Sequence, residues 1–544
     1  METCTWQDNP KDKNMDQWHP TAAGHYEREA SLTERWMAHN CSLDQQVSRN
    51  GSSRGGRHHW TLSLVLKLGM TIQETQNSNQ TQCPSPRLFE EQLVPQLRRA
   101  WQDLRRQHPS MASTLDTTRY VWEYHPTTEK GEEEKWLRMT FVVVPFQIEA
   151  ATLATQLVAP PRPTLHVLPR SQELLLRSPH SSVDGAGLVM MAHLLLSAVT
   201  SPRDPGGPFG SCPSVDNSLK LNESESESEC CNLAPPFRTM VQAGPFTDMQ
   251  SQAANAELER YLDAFPGMTL PTKSPKTNPK TRDGTIRPGK TRRKCHVFDE
   301  CETSAIADAC RRKGLTVTHA VHASIACAMA RLKSNSAAPN VYTGALSFDG
   351  RRIYGTATAE EDDRDWQLPA SLCTTAWLPS IHVSDFDCTA DQFKRAYAWH
   401  TNNNTDTNGN GNGNGTDNSH THTRPDKRDQ YNIVELMIKN ILPQVSSTTG
   451  ATSASMASAN LSSLGVVERT LQRKYGHLEV LEYAQLCEVL TASVCMYLHT
   501  WRDQMVLSTM YNEAYYDAEF VDLLVETVLD ILRQGLGLGV DADA

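Results

Sequence analysis

Apolar side chains recur along this chain in two rhythms. From Leu88 to Pro109, Phe89, Leu93, Leu97, Trp101 and Leu104 fall at three- and four-residue intervals. That spacing predicts one apolar helical face, bent at Pro95 and stopped before Pro109. Trp60 to Leu68, "WTLSLVLKL", has the composition of a strand, and "YVWEYHP", "WLRMTFVVVP" and "ELLLRSPH" predict further strands. "GAGLVMMAHLLLSAVT" then predicts a buried helix. Farther on, "TSAIADACRRKG" predicts a helix capped by Thr303 or Ser304 and ended at Gly314. "TVTHAVHASIACAMARL" predicts another, with Thr316 and Thr318 as possible caps. "VYTGALSFDGRR" reads as a strand entering a tight turn, "QYNIVELMIKNIL" as a helix and "ANLSSLGVVE" as a short buried strand. "TASVCMYLHTW" and "QMVLSTMYN" form an antiparallel pair joined by "RD", and "DAEFVDLLVETVLDILRQ" closes the chain as an amphipathic helix. Strands and helices alternate in both halves, which predicts an α/β or α+β layered fold, built twice.

Polar stretches divide these blocks. "SPRDPGGPFGSCPS", "NESESESE" and "TKSPKTNPKTRDGTIRPGKTRRK" have little to bury, with one short helix expected near "AANAELERYLDAF". The expected organisation is an N-terminal domain over 1–215, a crossover linker over 216–294 and a C-terminal domain over 295–544. The low-complexity run 402–423 is expected to be a disordered loop, so His420 and His422 within it are not metal ligands. The basic run Lys273 to Lys294 reads as a solvated linker, or alternatively as a partner for an anionic phosphate through Arg292, Arg293 and Lys294.

Composition narrows the class. The chain has 544 residues and a formal charge of -11, from 52 basic and 63 acidic side chains, which leaves no global field for nucleic acid. No segment has the eighteen or so apolar residues needed to span a bilayer, and the N-terminus lacks a signal profile. A cytoplasmic protein with its 14 cysteines reduced is therefore expected, and no C-x-x-C array suggests a metal. Gly535, Gly537 and Gly539 do not form a dinucleotide fingerprint, because no strand precedes them and no helix follows. No G-x-S-x-G elbow marks a serine hydrolase.

One stretch is suited to chemistry: "SPHSSVDGAG", Ser178 to Gly187, on the turn between strand "ELLLRS" and the buried helix. The bland reading is a capped turn, with Asp184 supporting the helix N-terminus and His180 merely packed. The sharper reading uses His180 as an acid–base group, because imidazole titrates nearest neutrality. Asp184 either orients that ring or points away to a cation, and Gly185 allows close backbone approach.

"HSSVDG" resembles the HxxxDG motif of the CoA-dependent acyltransferase superfamily, which includes chloramphenicol acetyltransferase, the plant BAHD enzymes and peptide-synthetase condensation domains. "LRRAWQDLRRQHPSMAS", "CRRKGLTVTHAVHASIACAMA" and "MVLSTMYNEAYY" are similar to its early helix, the opening of its second half and its closing strand and helix. "FDGRR" resembles the BAHD D-x-R element, and the layout is most similar to fungal trichothecene O-acetyltransferases. The D-F-G-W-G element of BAHD enzymes is absent, with "SDFDCT" a poor echo. Pro179 stands where condensation domains usually carry a second histidine.

The resemblance implies two chloramphenicol acetyltransferase-like domains with a tunnel between them. It implies a monomeric acyl-CoA-dependent O-acyltransferase acting on a hydroxylated secondary metabolite such as a terpenoid or polyketide. His180 would be the general base, with Asp184 and Gly185 completing the motif and Asp184 bridged to Arg351, or second to Arg352. Ser462 or Ser463 would donate to the oxyanion. Acetyl-CoA or another acyl-CoA would be a co-substrate, with no permanently bound cofactor and no metal. The alternatives are a carrier-protein-dependent, condensation-like acyltransferase and a non-catalytic binding protein of the same fold.

Overall fold

The computed structural model describes residues 17–41, 56–71, 81–82, 85–126, 130–200, 230–273, 286–354, 371–401, 427–447 and 457–538. The expected loop over 402–423 and the two histidines in it lie outside those residues.

Two sheets organise the molecule. The first runs Lys474–Tyr475, Leu478–Cys487, Leu62–Thr71, Glu173–Ser178, Thr164–Leu168 and Phe141–Val143 in lateral order, with Thr81–Gln82 paired to Leu62–Thr71. Its central strand, Leu62–Thr71, carries an apolar residue at every second position from Leu62 to Met70, and Leu62, Leu64, Leu66 and Leu68 are buried, as the two-residue period of a strand requires. Helices Val94–Gln107 and Gly185–Thr200 pack together beside this sheet, burying Leu97, Trp101 and Leu104 from the first and Leu188, Met191 and Leu195 from the second.

The second sheet has the order Thr291–Val297, Gln504–Asn512, Val494–Trp501, Ala459–Val466, antiparallel except for the last pair. Val494, Met496 and Leu498 join one core with helices Val317–Leu332 and Ala518–Gly535, whereas Cys495, Tyr497 and Trp501 join the core of the first sheet. This alternation follows from the two-residue period of a strand, and it leaves one face of the second sheet turned toward the first. The hairpin between Val494–Trp501 and Gln504–Asn512 turns on Arg502 and Asp503, whose φ values of 52 and 63 fit the two-residue turn that matches strand twist. Arg502 donates from Nη2 to the Val480 carbonyl at 3.0 Å and pairs with Glu479, tying that turn to the first sheet.

Several sequence expectations change here. "WLRMT" is the end of helix Lys130–Thr140, with only Phe141–Val143 in a strand. Trp136 and Leu137 are buried while Met139 is exposed, which is a helical pattern. The helix expected to start at Thr303 or Ser304 begins at Glu300, because the Asp299 side chain accepts from the Glu302 amide at 2.8 Å. Thr316, not Thr318, caps the next helix and does so in a capping box with His319. Pro95 falls in the first turn of helix Val94–Gln107, where its missing N–H costs nothing, and a π-helical turn, Phe89–Leu93, precedes it. The basic run expected as a linker ends in strand Thr291–Val297, in register with Gln504–Asn512 from Thr291 opposite Asn512 to Val297 opposite Val506. The strand Leu478–Cys487, unread in the sequence, joins the first sheet although it lies late in the chain.

Leu64 sits between Gln485 and Leu176 on its two neighbouring strands and is fully buried. Leu64→Ala is expected to lower unfolding free energy by about 2–5 kcal/mol, measured as a shifted urea midpoint with an unchanged slope.

Candidate active site

The turn from Pro179 to Asp184 is short and tightly held. Ser182 and Val183 donate their amides to the Pro179 carbonyl at 3.1 and 3.4 Å, and the fully buried Val183 side chain anchors the turn in the first core. Asp184 precedes helix Gly185–Thr200 and accepts on Oδ1 from the Gly187 amide at 2.8 Å, an N-cap bond to the third helical residue.

Capping occupies only part of this carboxylate. Arg351 Nη1 lies 2.9 and 3.0 Å from its two oxygens, and the Cys373 amide donates to Oδ2 at 2.7 Å. Asp184 is completely buried and Arg351 is buried too. Burial alone would raise the Asp184 pKa, but the guanidinium and the two amides hold it below the ordinary carboxylate value. Burial would strip the Arg351 proton, yet Asp184 and its surroundings hold that pKa above normal. Nη2 of Arg351 donates to the Ser371 carbonyl at 2.9 Å, so the planar head is fixed at both ends. Arg352, the other candidate partner, faces Asp349 and is 43% exposed.

His180 is a different kind of residue. Burial lowers its pKa, while its own carbonyl and the Asp184 charge oppose that shift. Nδ1 is sealed from solvent and makes no hydrogen bond to the described residues. The residue as a whole is half-buried. Trp60 meets the ring edge-on, with centroids 6.4 Å apart. The Cys41 thiol, pushed up to about 12 by burial, touches the backbone of His180 and Ser181. The result is an imidazole that burial biases toward its neutral form, set against the edge of Trp60.

The remaining sequence candidates separate by strand geometry. Ser462 pairs with Tyr497 and so shares the interlobe face of the second sheet, whereas Ser463 is turned the other way and bonds Thr318 at 2.9 Å. Arg292 and Lys294 lie on one side of their strand, paired with Glu513 at 2.6 Å and Asp522 at 2.7 Å. Arg293 lies on the other side and donates from Nε to Ser508 Oγ at 2.7 Å. A Cβ at Gly185 would sit 2.6 Å from Gln485 Nε2.

Sequence reading missed several polar residues around this loop. His59 stacks on Trp60 at 4.7 Å, accepts from the Leu490 amide at 3.1 Å and is pushed down to about 3 by burial and by nearby His180. Tyr483 donates to Gln485 Oε1 at 3.0 Å and meets His499 edge-on at 4.9 Å. His499, pushed down to about 4 by burial, has neither nitrogen bonded to a described residue. The available signal was the alternation of Tyr483, Gln485 and Cys487 in "EYAQLC", which places all three on one strand face. Among the described residues, no three His, Cys, Asp or Glu side chains are grouped to hold a metal, and no helix is long and apolar enough to cross a membrane.

The fold is a chloramphenicol acetyltransferase-like one, shared with a solved trichothecene acetyltransferase. The solved trichothecene 15-O-acetyltransferase from Fusarium sporotrichioides superposes with a TM-score of 0.69 at 16% identity, covering 97% of this chain and 98% of its own. Acetyltransferase pigO from Monascus ruber is 23% identical over 527 residues, 96% of this chain and 99% of its own length. A loline biosynthesis cluster transcription factor from Epichloe uncinata is 25% identical over 485 residues, 82% of this chain and 86% of its own. No family model matches the chain.

Removing one member of the buried pair leaves the other uncompensated. Arg351→Met is expected to cost about 3–5 kcal/mol in unfolding free energy. Because the folded Asp184 pKa is depressed, its stabilising contribution is complete at neutral pH. That contribution is lost as pH falls from the unfolded value of about 3.9 through the folded one. Asp184→Asn is therefore expected to flatten stability against pH on the acid side, as read by urea unfolding across pH 2–6.

Proposed function

We propose that the protein transfers an acyl group, acetyl foremost, from acyl-CoA to a hydroxyl of a secondary metabolite such as a terpenoid or polyketide. The observation that carries this reading is the division of labour in the motif. Asp184 is spent on Arg351 and two backbone amides, leaving His180 with no carboxylate of the described residues bonded to its ring and with burial favouring its neutral form.

Such an imidazole can take the proton from an alcohol as its oxygen attacks the thioester carbonyl. The carbonyl electron pair moves onto oxygen, giving a tetrahedral oxyanion beside an imidazolium. Collapse breaks the carbon–sulfur bond, and the thiolate leaves readily because a thiol's pKa of about 8.5 is far below that of an alcohol. Both substrates are present together and no acyl-enzyme forms. Ser462 is the better placed of the two serine candidates for the oxyanion, since Ser463 is bonded to Thr318. Of the three basic residues offered for the CoA phosphate, Arg293 faces the first sheet, while the other two are already paired with carboxylates.

The acetyltransferases among the relatives support acyl transfer to a small molecule. The relative described as a transcription factor does not carry a DNA-binding reading here, because a net charge of -11 repels a polyanion. Pro179, in the place of a condensation domain's second histidine, favours acyl-CoA over an acylated carrier protein.

Incubation with acetyl-CoA and a library of hydroxylated terpenoids and polyketides, read by free-thiol release, is expected to identify an acceptor. His180→Ala should abolish that release while thermal unfolding stays near wild type, whereas Asp184→Asn should lower both. Equal melting losses in the two variants would contradict the division of labour. The lowered His180 pKa means the base form already dominates at neutral pH. The acid limb of kcat/KM is therefore expected below pH ~6.5, and a limb above pH 7 would exclude His180 as the base.

A further inference from the structure

Gln485 brings an unused amide to the start of the motif helix. Its side chain is 1% exposed, and Nε2 has no hydrogen-bond partner among the described residues. The carbonyl end of the amide is not free to rotate away, because Oε1 accepts from Tyr483 at 3.0 Å. Tyr483 is itself pinned between His499, edge-on at 4.9 Å, and Trp501 at 6.1 Å. With the oxygen fixed on Tyr483, the NH₂ group must face the other way. There it presses on Gly185, where even a methyl group would lie 2.6 Å from the nitrogen.

Gly185 opens a 16-residue helix directly after Asp184. The first amides of a helix point outward without intrahelical partners, and the helix dipole adds positive potential at that end. Asp184 uses the Gly187 amide, so negative charge is already accommodated at this terminus, but only on the side facing Arg351. On the side facing Gln485, two amide protons stand beside the same helix start with nothing to receive them. A buried donor left unpaired opposes folding, and an acceptor on a bound ligand would remove that cost. A group whose negative charge exists only during turnover fits that description.

The location agrees with the reaction. Gln485 shares a strand face with Cys487, whose side chain touches Cys495 from the second sheet, and Cys495 in turn touches Trp60, the ring set against His180. The amide therefore sits on the same seam between the sheets as Trp60, the ring set against His180.

We propose that Gln485 Nε2 donates to the oxyanion formed in acyl transfer, an assignment that rests on His180 acting as base. As the alcohol oxygen bonds to the thioester carbon, its proton passes to His180 Nε2 and the carbonyl π pair becomes an oxyanion, which the Gln485 amide receives. When the carbon–sulfur bond breaks, the electron pair on oxygen re-forms the carbonyl and the leaving sulfur takes the proton from the imidazolium. Gln485 is then a catalytic residue, and Tyr483 is a positioning residue that sets its plane.

Gln485→Met keeps the length of the side chain and removes the donor. Its kcat is expected to fall by about 10²–10³, the loss found when one oxyanion donor is removed. KM for acetyl-CoA and for the acceptor found in the thiol-release assay should stay within about twofold, because the bond forms only in the transition state. Hydrolysis of acetyl-CoA by water, which passes through the same oxyanion, should fall in parallel. Tyr483→Phe should lower kcat by about tenfold with KM unchanged, and it tests the idea even if Gln485→Met does not fold. A kcat within threefold of wild type in either soluble variant would overturn the assignment, as would a rise in KM at constant kcat. If instead the wild type released no thiol, or His180→Ala remained active, the underlying acyl-transfer reading would fail first.

Discussion

The buried contact between Asp184 and Arg351 sets the terms for everything around it. The carboxylate comes from the turn after a first-sheet strand, and the guanidinium from a short helix more than a hundred and sixty residues later. Two opposite charges removed from water are tolerable only when every oxygen and proton finds a partner. Here the two backbone amides of Gly187 and Cys373 and the Ser371 carbonyl complete the set. The arrangement consumes the carboxylate that sequence spacing alone could have aimed at the histidine. His180 is thereby left without an ionic partner, and its basicity is governed by burial instead.

The ion pair has a neighbour that feels the same constraint. Asp349 lies 3.2 Å from Arg351 Nη1, and burial, with Asp184 adding to it, pushes its carboxyl above the ordinary value. One guanidinium serves two carboxyls unequally, holding the pKa of the fully enclosed Asp184 down while that of Asp349 stays raised. The tight turn expected at "FDGRR" is thus part of the same device, with Asp349 ending the strand and Arg351 in the first turn of the helix that starts at Gly350.

Much of this was legible in the residues. Local periodicity located helices such as Val94–Gln107 and Ala518–Gly535, because each carries a full apolar stripe that a single window reveals. The motif turn was legible because His180, Asp184 and Gly185 are close in sequence, and Arg351 because "FDGRR" carries a recognisable pattern. Strand Thr291–Val297 was hidden by its own chemistry: an edge strand rich in Arg and Lys looks like a linker until its alternating faces are known. Leu478–Cys487 was hidden by register, since a bulge between Val480 and Glu482 interrupts its two-residue rhythm. With that strand unread, Tyr483 and Gln485 could not be placed beside Gly185, and sequence attention fell on Ser462 and Ser463 instead. Side chains that meet across two sheets leave no local trace.

The late entry of Leu478–Cys487 into the first sheet also bears on biosynthesis. A growing chain emerges with its central strand, Leu62–Thr71, paired on one side by Glu173–Ser178 and unpaired on the other. An open edge of leucine-rich backbone is a template for stray pairing, and it waits here through the synthesis of some three hundred further residues. Ribosomal pausing or chaperone holding in that interval would protect the nascent polypeptide. Expression yield should accordingly respond to translation speed more than the finished molecule's contacts would suggest.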